Sequence, residues 1–115
     1  MQYLLLIYHR ESDWGALTEP ERQNVYREYR ELSEEWQKSG KCLRGDELQP
    51  VATATTLRVR NGKRSVTDGP FAETREQLAG YYLVEARDLD EALDMAARIP
   101  SAQMGSIEIR PLAQG

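Results

Sequence analysis

Cysteine, histidine and phenylalanine each occur once in these 115 residues, and that shortage removes several chemistries. A lone Cys42 cannot close a disulfide within the chain, so a reducing compartment suits it and packing must hold the fold. One cysteine and one histidine cannot supply the nitrogen and sulfur ligands of an ordinary zinc site. Carboxylates are plentiful, but no spacing among them marks an oxygen-ligand metal site, and no cofactor is expected. Serine nucleophile elbows, P-loops and dinucleotide fingerprints are missing as well. Basic charge is short: 15 Lys and Arg face 19 Asp and Glu, a formal net charge of -4. That balance disfavours direct nucleic-acid binding, which rests on neutralising phosphates. The apolar run Tyr3 to Tyr8 is too short to span a bilayer and no basic segment precedes it, as one would in a signal peptide. A cytoplasmic location without membrane association is the expectation.

What is present reads as one domain over residues 1–115, long enough to bury roughly two-thirds of its unfolded surface. Gln2 to Tyr8 has the continuous apolar character of a central strand buried on both faces. A polar loop is expected from His9 to Gly15. Thr18-Glu-Pro-Glu21 then carries the signals of a helix start: an N-cap threonine, a glutamate three residues on, proline in the first turn and acids at the positive helix end. Val25, Tyr29, Leu32 and Trp36 form one apolar stripe, and Gly40 suits the C-terminal cap. Cys42 to Leu48 reads as a strand. Thr55 to Arg60 and Lys63 to Thr67 flank Asn61-Gly62, whose positive φ angles suit a type I′ hairpin turn. Gly80 to Ala86 is the next strand, and Asp88 to Glu91 a second capping box. Leu89, Ala92, Leu93 and Ala96 are expected to be the buried stripe of the helix it starts. The last strand, Gly105 to Arg110, sends Ile107 and Ile109 to one face.

Two β-α-β halves around an inserted hairpin make an α+β fold of the ferredoxin-like kind, with helices on one sheet face. The other face needs a cover, and a second copy of the chain related by a two-fold axis is the economical one.

The stretch Val66 to Tyr82, VTDGPFAETREQLAGYY, is the most distinctive in the chain. Together with MQYLLLIY, the Gly45 to Pro50 segment, ATATTLRVRNGK, DLDEAL and GSIEIRP, it resembles the DGPF, or YCII-related, family over nearly the whole length. The resemblance implies a dimeric ferredoxin-like α/β barrel. Many such proteins are encoded beside sigma factors of the extracytoplasmic-function type, which implies a sigma-factor association as a possible partnership. Some relatives resemble enzymes with a His-Asp pair whose histidine lies near the start of the first helix. Here that helix has no histidine, and only Asp68 has a counterpart.

Asp68 reads in two ways: as an Asx turn accepting backbone N–H groups, or as a carboxylate at a cleft mouth able to act as general base. Gly69 and Pro70 direct the turn or let a ligand approach the backbone, and Phe71 is expected to anchor the turn on the core. His9 is the one side chain with an ordinary pKa near neutrality, at a strand end where sites commonly sit; a solvated loop residue is the plainer reading. Tyr81 and Tyr82 point to opposite sheet faces, and one of them, with Trp14, suits a pocket lining. Asp46 and Glu47 can wall a polar cleft or pair with Arg44. Three functions compete. The first is a homodimeric small-molecule-binding or regulatory protein lined by Asp68, Gly69, Pro70, Phe71, Tyr82 and Trp14. The second is an enzyme using Asp68 with His9 on a small polar substrate. The third is a protein-interaction module.

Overall fold

The computed structural model describes residues 1–114. Strand β1 (Gln2–His9) is central, flanked by a strand on each side, but its burial alternates. Tyr3, Leu5 and Ile7 are buried, whereas Leu4, Leu6 and Tyr8 are half-buried within one chain. Where a polar loop was expected, Glu11–Ala16 forms a short helix, α1. Long-range bonds hold it. The Glu11 N–H donates to Gln77 Oε1 at 2.9 Å, and the Glu11 carboxylate accepts the Val51 N–H at 2.9 Å.

Helix α2 (Glu19–Lys38) begins with the reciprocal box: the Thr18 hydroxyl accepts the Glu21 N–H while Glu21 accepts the Thr18 N–H. It ends in a Schellman turn, with the Lys41 N–H on the Trp36 carbonyl at 3.0 Å and the Gly40 N–H on the Gln37 carbonyl at 3.2 Å. Strand β2 (Cys42–Glu47) follows. Next come β3 (Thr55–Arg60) and β4 (Lys63–Asp68), joined by Asn61 and Gly62 at φ 52° and 75°, as a type I′ turn requires. Strand β5 (Gln77–Glu85) starts three residues before the expected Gly80, because Gln77 and Leu78 pair with His9 and Tyr8 beyond a bulge. Helix α3 (Leu89–Ala97) is capped by Asp88, which accepts the Glu91 N–H; the Glu91 carboxylate reaches past the cap to the Arg87 N–H. Strand β6 (Ser106–Pro111) closes the fold.

The four long-range strands form one antiparallel sheet in the order β2-β5-β1-β6. Helices α2 and α3 share one core with its inner face, where Leu32, Trp36, Ala92, Met95 and Ala96 meet Tyr3, Leu5, Tyr82 and Val84, with Ile107 and Ile109 against them. The fold is therefore a mixed α+β one. Hairpin β3–β4 pairs only with itself, and its strand residues are exposed apart from a half-buried Thr56. Its reach is visible in the radius of gyration, 16.1 Å, against about 13 Å expected for a close-packed chain of this length. No helix among the described residues is long and apolar enough to cross a membrane.

Two packing expectations are corrected. Phe71 does not anchor its turn on the core: it is 76% exposed, because the hairpin base stands off the main sheet and has no core beneath it. The buried stripe of α3 is also rotated from the expected one. Ala92, Met95 and Ala96 face the sheet, while Leu89 and Leu93 are exposed. The short side chains of Ala92 and Ala96 let the helix lie close to the sheet, and Met95 fills the gap beside them.

That rotation has a measurable consequence. Met95→Ala should lower the urea-unfolding free energy by about 2–5 kcal/mol through the lost burial and the cavity left. Leu93→Ala should cost less than about 1 kcal/mol. Equal losses would mean the helix presents the other stripe.

Candidate functional site

A cavity of about 400 Å³ opens between α2 and the β2–β5 half of the sheet. Tyr82 sets its floor. The ring is buried, meets Trp36 edge-on at a centroid distance of 5.1 Å, and lies near-parallel to Tyr29 at 6.5 Å. Its hydroxyl shares a 2.8 Å hydrogen bond with Ser33 of α2. Residue 45 must lack a side chain here, because a Cβ on Gly45 would run into the Tyr82 ring. Tyr29 donates to Ser101 Oγ at 2.7 Å from the far end of the chain, in the 3₁₀ turn Pro100–Gln103.

Burial pushes the Tyr29 phenol up to about 12, its bond to Ser101 offsetting only part of that. Burial likewise raises Tyr82. Both are therefore neutral hydroxyls at physiological pH, able to donate or accept a hydrogen bond but not to serve as ready bases.

The outer wall is aromatic too. Trp14, carried by α1, stacks on His9 with centroids 5.9 Å apart and an interplanar angle of 6°. It meets Tyr26 edge to face at 5.4 Å. The Tyr26 hydroxyl donates to the Glu47 carboxylate at 3.0 Å. Burial and then that carboxylate raise the Tyr26 pKa. Arg30, Glu34 and Gln37 of α2 and Glu47 of β2 add charged and polar side chains to the lining. Asp46 accepts the Tyr81 hydroxyl at 2.7 Å and Arg44 Nε at 2.9 Å, and these two bonds hold its carboxyl below the usual range. Asp46 stands opposite Tyr81 in the register, on the sheet face away from Tyr82, so its carboxylate follows the ion-pair reading, while Glu47 lies on the cavity side.

His9, Trp14 and Tyr82 line this cavity together. The Nδ1 atom of His9 is buried and has no hydrogen-bond partner among the described residues; Trp14 stacks on that ring. Asp68, Gly69, Pro70 and Phe71 lie outside the lining, at the base of the hairpin. The Asp68 side chain is exposed and makes no hydrogen bond among the described residues. The bend is instead tied by the Gly69 N–H on the Ala54 carbonyl at 2.7 Å and by the Thr56 hydroxyl on the Gly69 carbonyl at 2.8 Å. Gly69 takes a φ of 101°, which few residues with a side chain adopt.

Tyr26, Ser33, Gly45 and Ser101 escaped the reading of the sequence as site residues. Two signals pointed toward them: a serine inside the apolar stripe of α2, and a glycine in the middle of a strand. No group of three metal-ligating side chains converges among the described residues.

Comparison with known proteins identifies the family. A family model described as the YCII-related domain matches residues 1–114. An uncharacterized protein of Rhizobium meliloti (strain 1021) is 42% identical over 115 residues, covering 98% of this chain and 93% of that protein.

The buried phenol predicts an alkaline limit. With its folded pKa near 12 and its ordinary value at 10, Tyr29 keeps its proton while the unfolded chain releases it. Its contribution is complete below pH 10 and is lost as pH rises toward 12. Urea unfolding of Tyr29→Phe should show a shallower stability loss over that range than wild type; identical slopes would mean the phenol is not buried as described.

Proposed function

The chain belongs to the YCII-related family, and from that premise we propose that it is a homodimeric small-molecule-binding or regulatory accessory protein. One observation carries the reading: a preformed cavity of about 400 Å³ with aromatic walls from Trp14, Tyr26, Tyr29 and Tyr82 and polar groups placed among them. Ligand sites commonly have this composition, since apolar walls supply affinity and sparse hydrogen-bonding groups supply orientation. Ser33 and the tyrosine hydroxyls would give that orientation, and the flat rings suit a planar organic molecule.

The dimer is supported by what one chain leaves uncovered. Strand order and the placement of both helices on one face fit a ferredoxin-like half of a dimeric α/β barrel. Leu4, Leu6 and Leu83 on the outer face have no helix over them and would meet a second copy. The apolar side of the inserted hairpin, Leu57, Val59 and Val66, would be covered in the same assembly.

Acid–base chemistry is a second reading, favoured by His9: the one imidazole of the chain lines the cavity with a nitrogen that has no protein partner. In that reading Asp68 would join it from the hairpin.

A thermal-shift screen of small aromatic metabolites tests the first reading. A ligand at about a hundred times its dissociation constant adds roughly 2.7 kcal/mol. Trp14→Ala should weaken any hit by about tenfold or more, with Asp68→Ala unchanged. Loss of the hit in Asp68→Ala alone would move the site to the hairpin base and favour the enzyme. For the assembly, light scattering should give twice the monomer mass. Leu6→Asp, which places a carboxylate opposite Glu108, should shift the protein toward monomer; a wild-type monomer would contradict the dimer.

A further inference from the structure

The charges around the cavity differ from its walls in what they select. Glu34 and Glu47 contribute two carboxylates to the lining, against one guanidinium from Arg30. Asp46 also borders the cavity, but it stands opposite Tyr81 in the β2–β5 register, on the sheet face away from Tyr82, where Tyr81 and Arg44 bond its carboxylate. Arg30 and Glu34 make no ion pair with each other or with any other group among the described residues.

Glu47 is the best placed of these groups. Its single hydrogen bond, from the Tyr26 hydroxyl, seats the carboxylate against the aromatic wall that Tyr26 shares with Trp14. A carboxylate beside aromatic rings favours a cation twice over, through its own charge and through the negative faces of the rings. The same arrangement disfavours an anion, for which Arg30 is the one cationic side chain in the lining.

We propose that the cavity takes a planar organic molecule bearing a protonated amine, with the ammonium group held at Glu47. This rests on the reading of the cavity as a ligand site and names the class of molecule it prefers.

The test is calorimetric titration at low ionic strength with three probes of similar shape and different charge: tryptamine, tryptophol and indole-3-propionate. Tryptamine should bind about fivefold or more tighter than indole-3-propionate. High salt should narrow that gap, and Glu47→Gln should abolish most of it. The neutral amide oxygen can still accept the Tyr26 hydroxyl, so that variant keeps the wall in place while removing the charge. Tighter binding of indole-3-propionate, or a preference untouched by Glu47→Gln, would overturn the proposal. Binding of tryptophol with no charge preference would keep the cavity reading and overturn this one. No binding of any probe would overturn both.

Discussion

The ring of Tyr82 fills the space between α2 and the sheet, and most of the site is built against it. Tyr82 projects from β5, beside the central strand, into the space under the helix, where Trp36, Tyr29 and Ser33 all meet it. It can lie there only because residue 45 on the neighbouring strand is glycine. Aromatic side chains of α2 and β5 fill the space between helix and sheet here, and the cavity lies among them. Toward α3 the contrast is direct: Ala92 and Ala96 let that helix settle closely. The cavity opens on the aromatic side and takes no residue of α3 into its lining.

Apart from His9 Nδ1, the buried polar side-chain groups around that cavity are matched rather than stranded. Tyr82 with Ser33 and Tyr29 with Ser101 are hydroxyl pairs that satisfy each other while keeping the surface weakly polar. Tyr26 with Glu47 is a phenol–carboxylate pair nearer to solvent, and Tyr81 with Asp46 makes a second such pair on the other face of the sheet. The gradient runs from neutral hydroxyls inside to charged groups at the mouth. Trp14 and His9 complete the wall from α1 and β1. Helix α1 has no buried residue of its own, so the Glu11 bonds to Gln77 and Val51 hold that side of the site in place.

Local chemistry was legible in the sequence. Thr18 with Glu21, Asn61-Gly62 and Gly40 each act within a few residues, so their type and spacing were enough to place a helix start, a hairpin turn and a helix end. The alternation of Ile107 and Ile109 was equally readable, because a strand has only two faces. Phe71, Leu89 and Leu93 were misplaced for a common reason: each is apolar, but what lies opposite it is decided by elements distant in sequence. The same holds for the cavity, assembled from both helices at the N-terminal end, from β1, β2 and β5, and from Ser101. The conspicuous Asp-Gly-Pro-Phe turn drew attention because its backbone demands are local. The less conspicuous Gly45 and Ser33 shape the space where side chains converge.

The account turns on where a bound molecule sits. Backbone amide shifts of nitrogen-15-labelled protein, recorded while a planar aromatic probe is titrated, read that location directly. The account predicts that the amides that move first belong to Gly45–Glu47 and Ala79–Tyr82 and to the stretch of α2 around Tyr29 and Ser33. Movement confined to Thr67–Phe71, with the cavity amides still, would contradict it and place the site at the hairpin base.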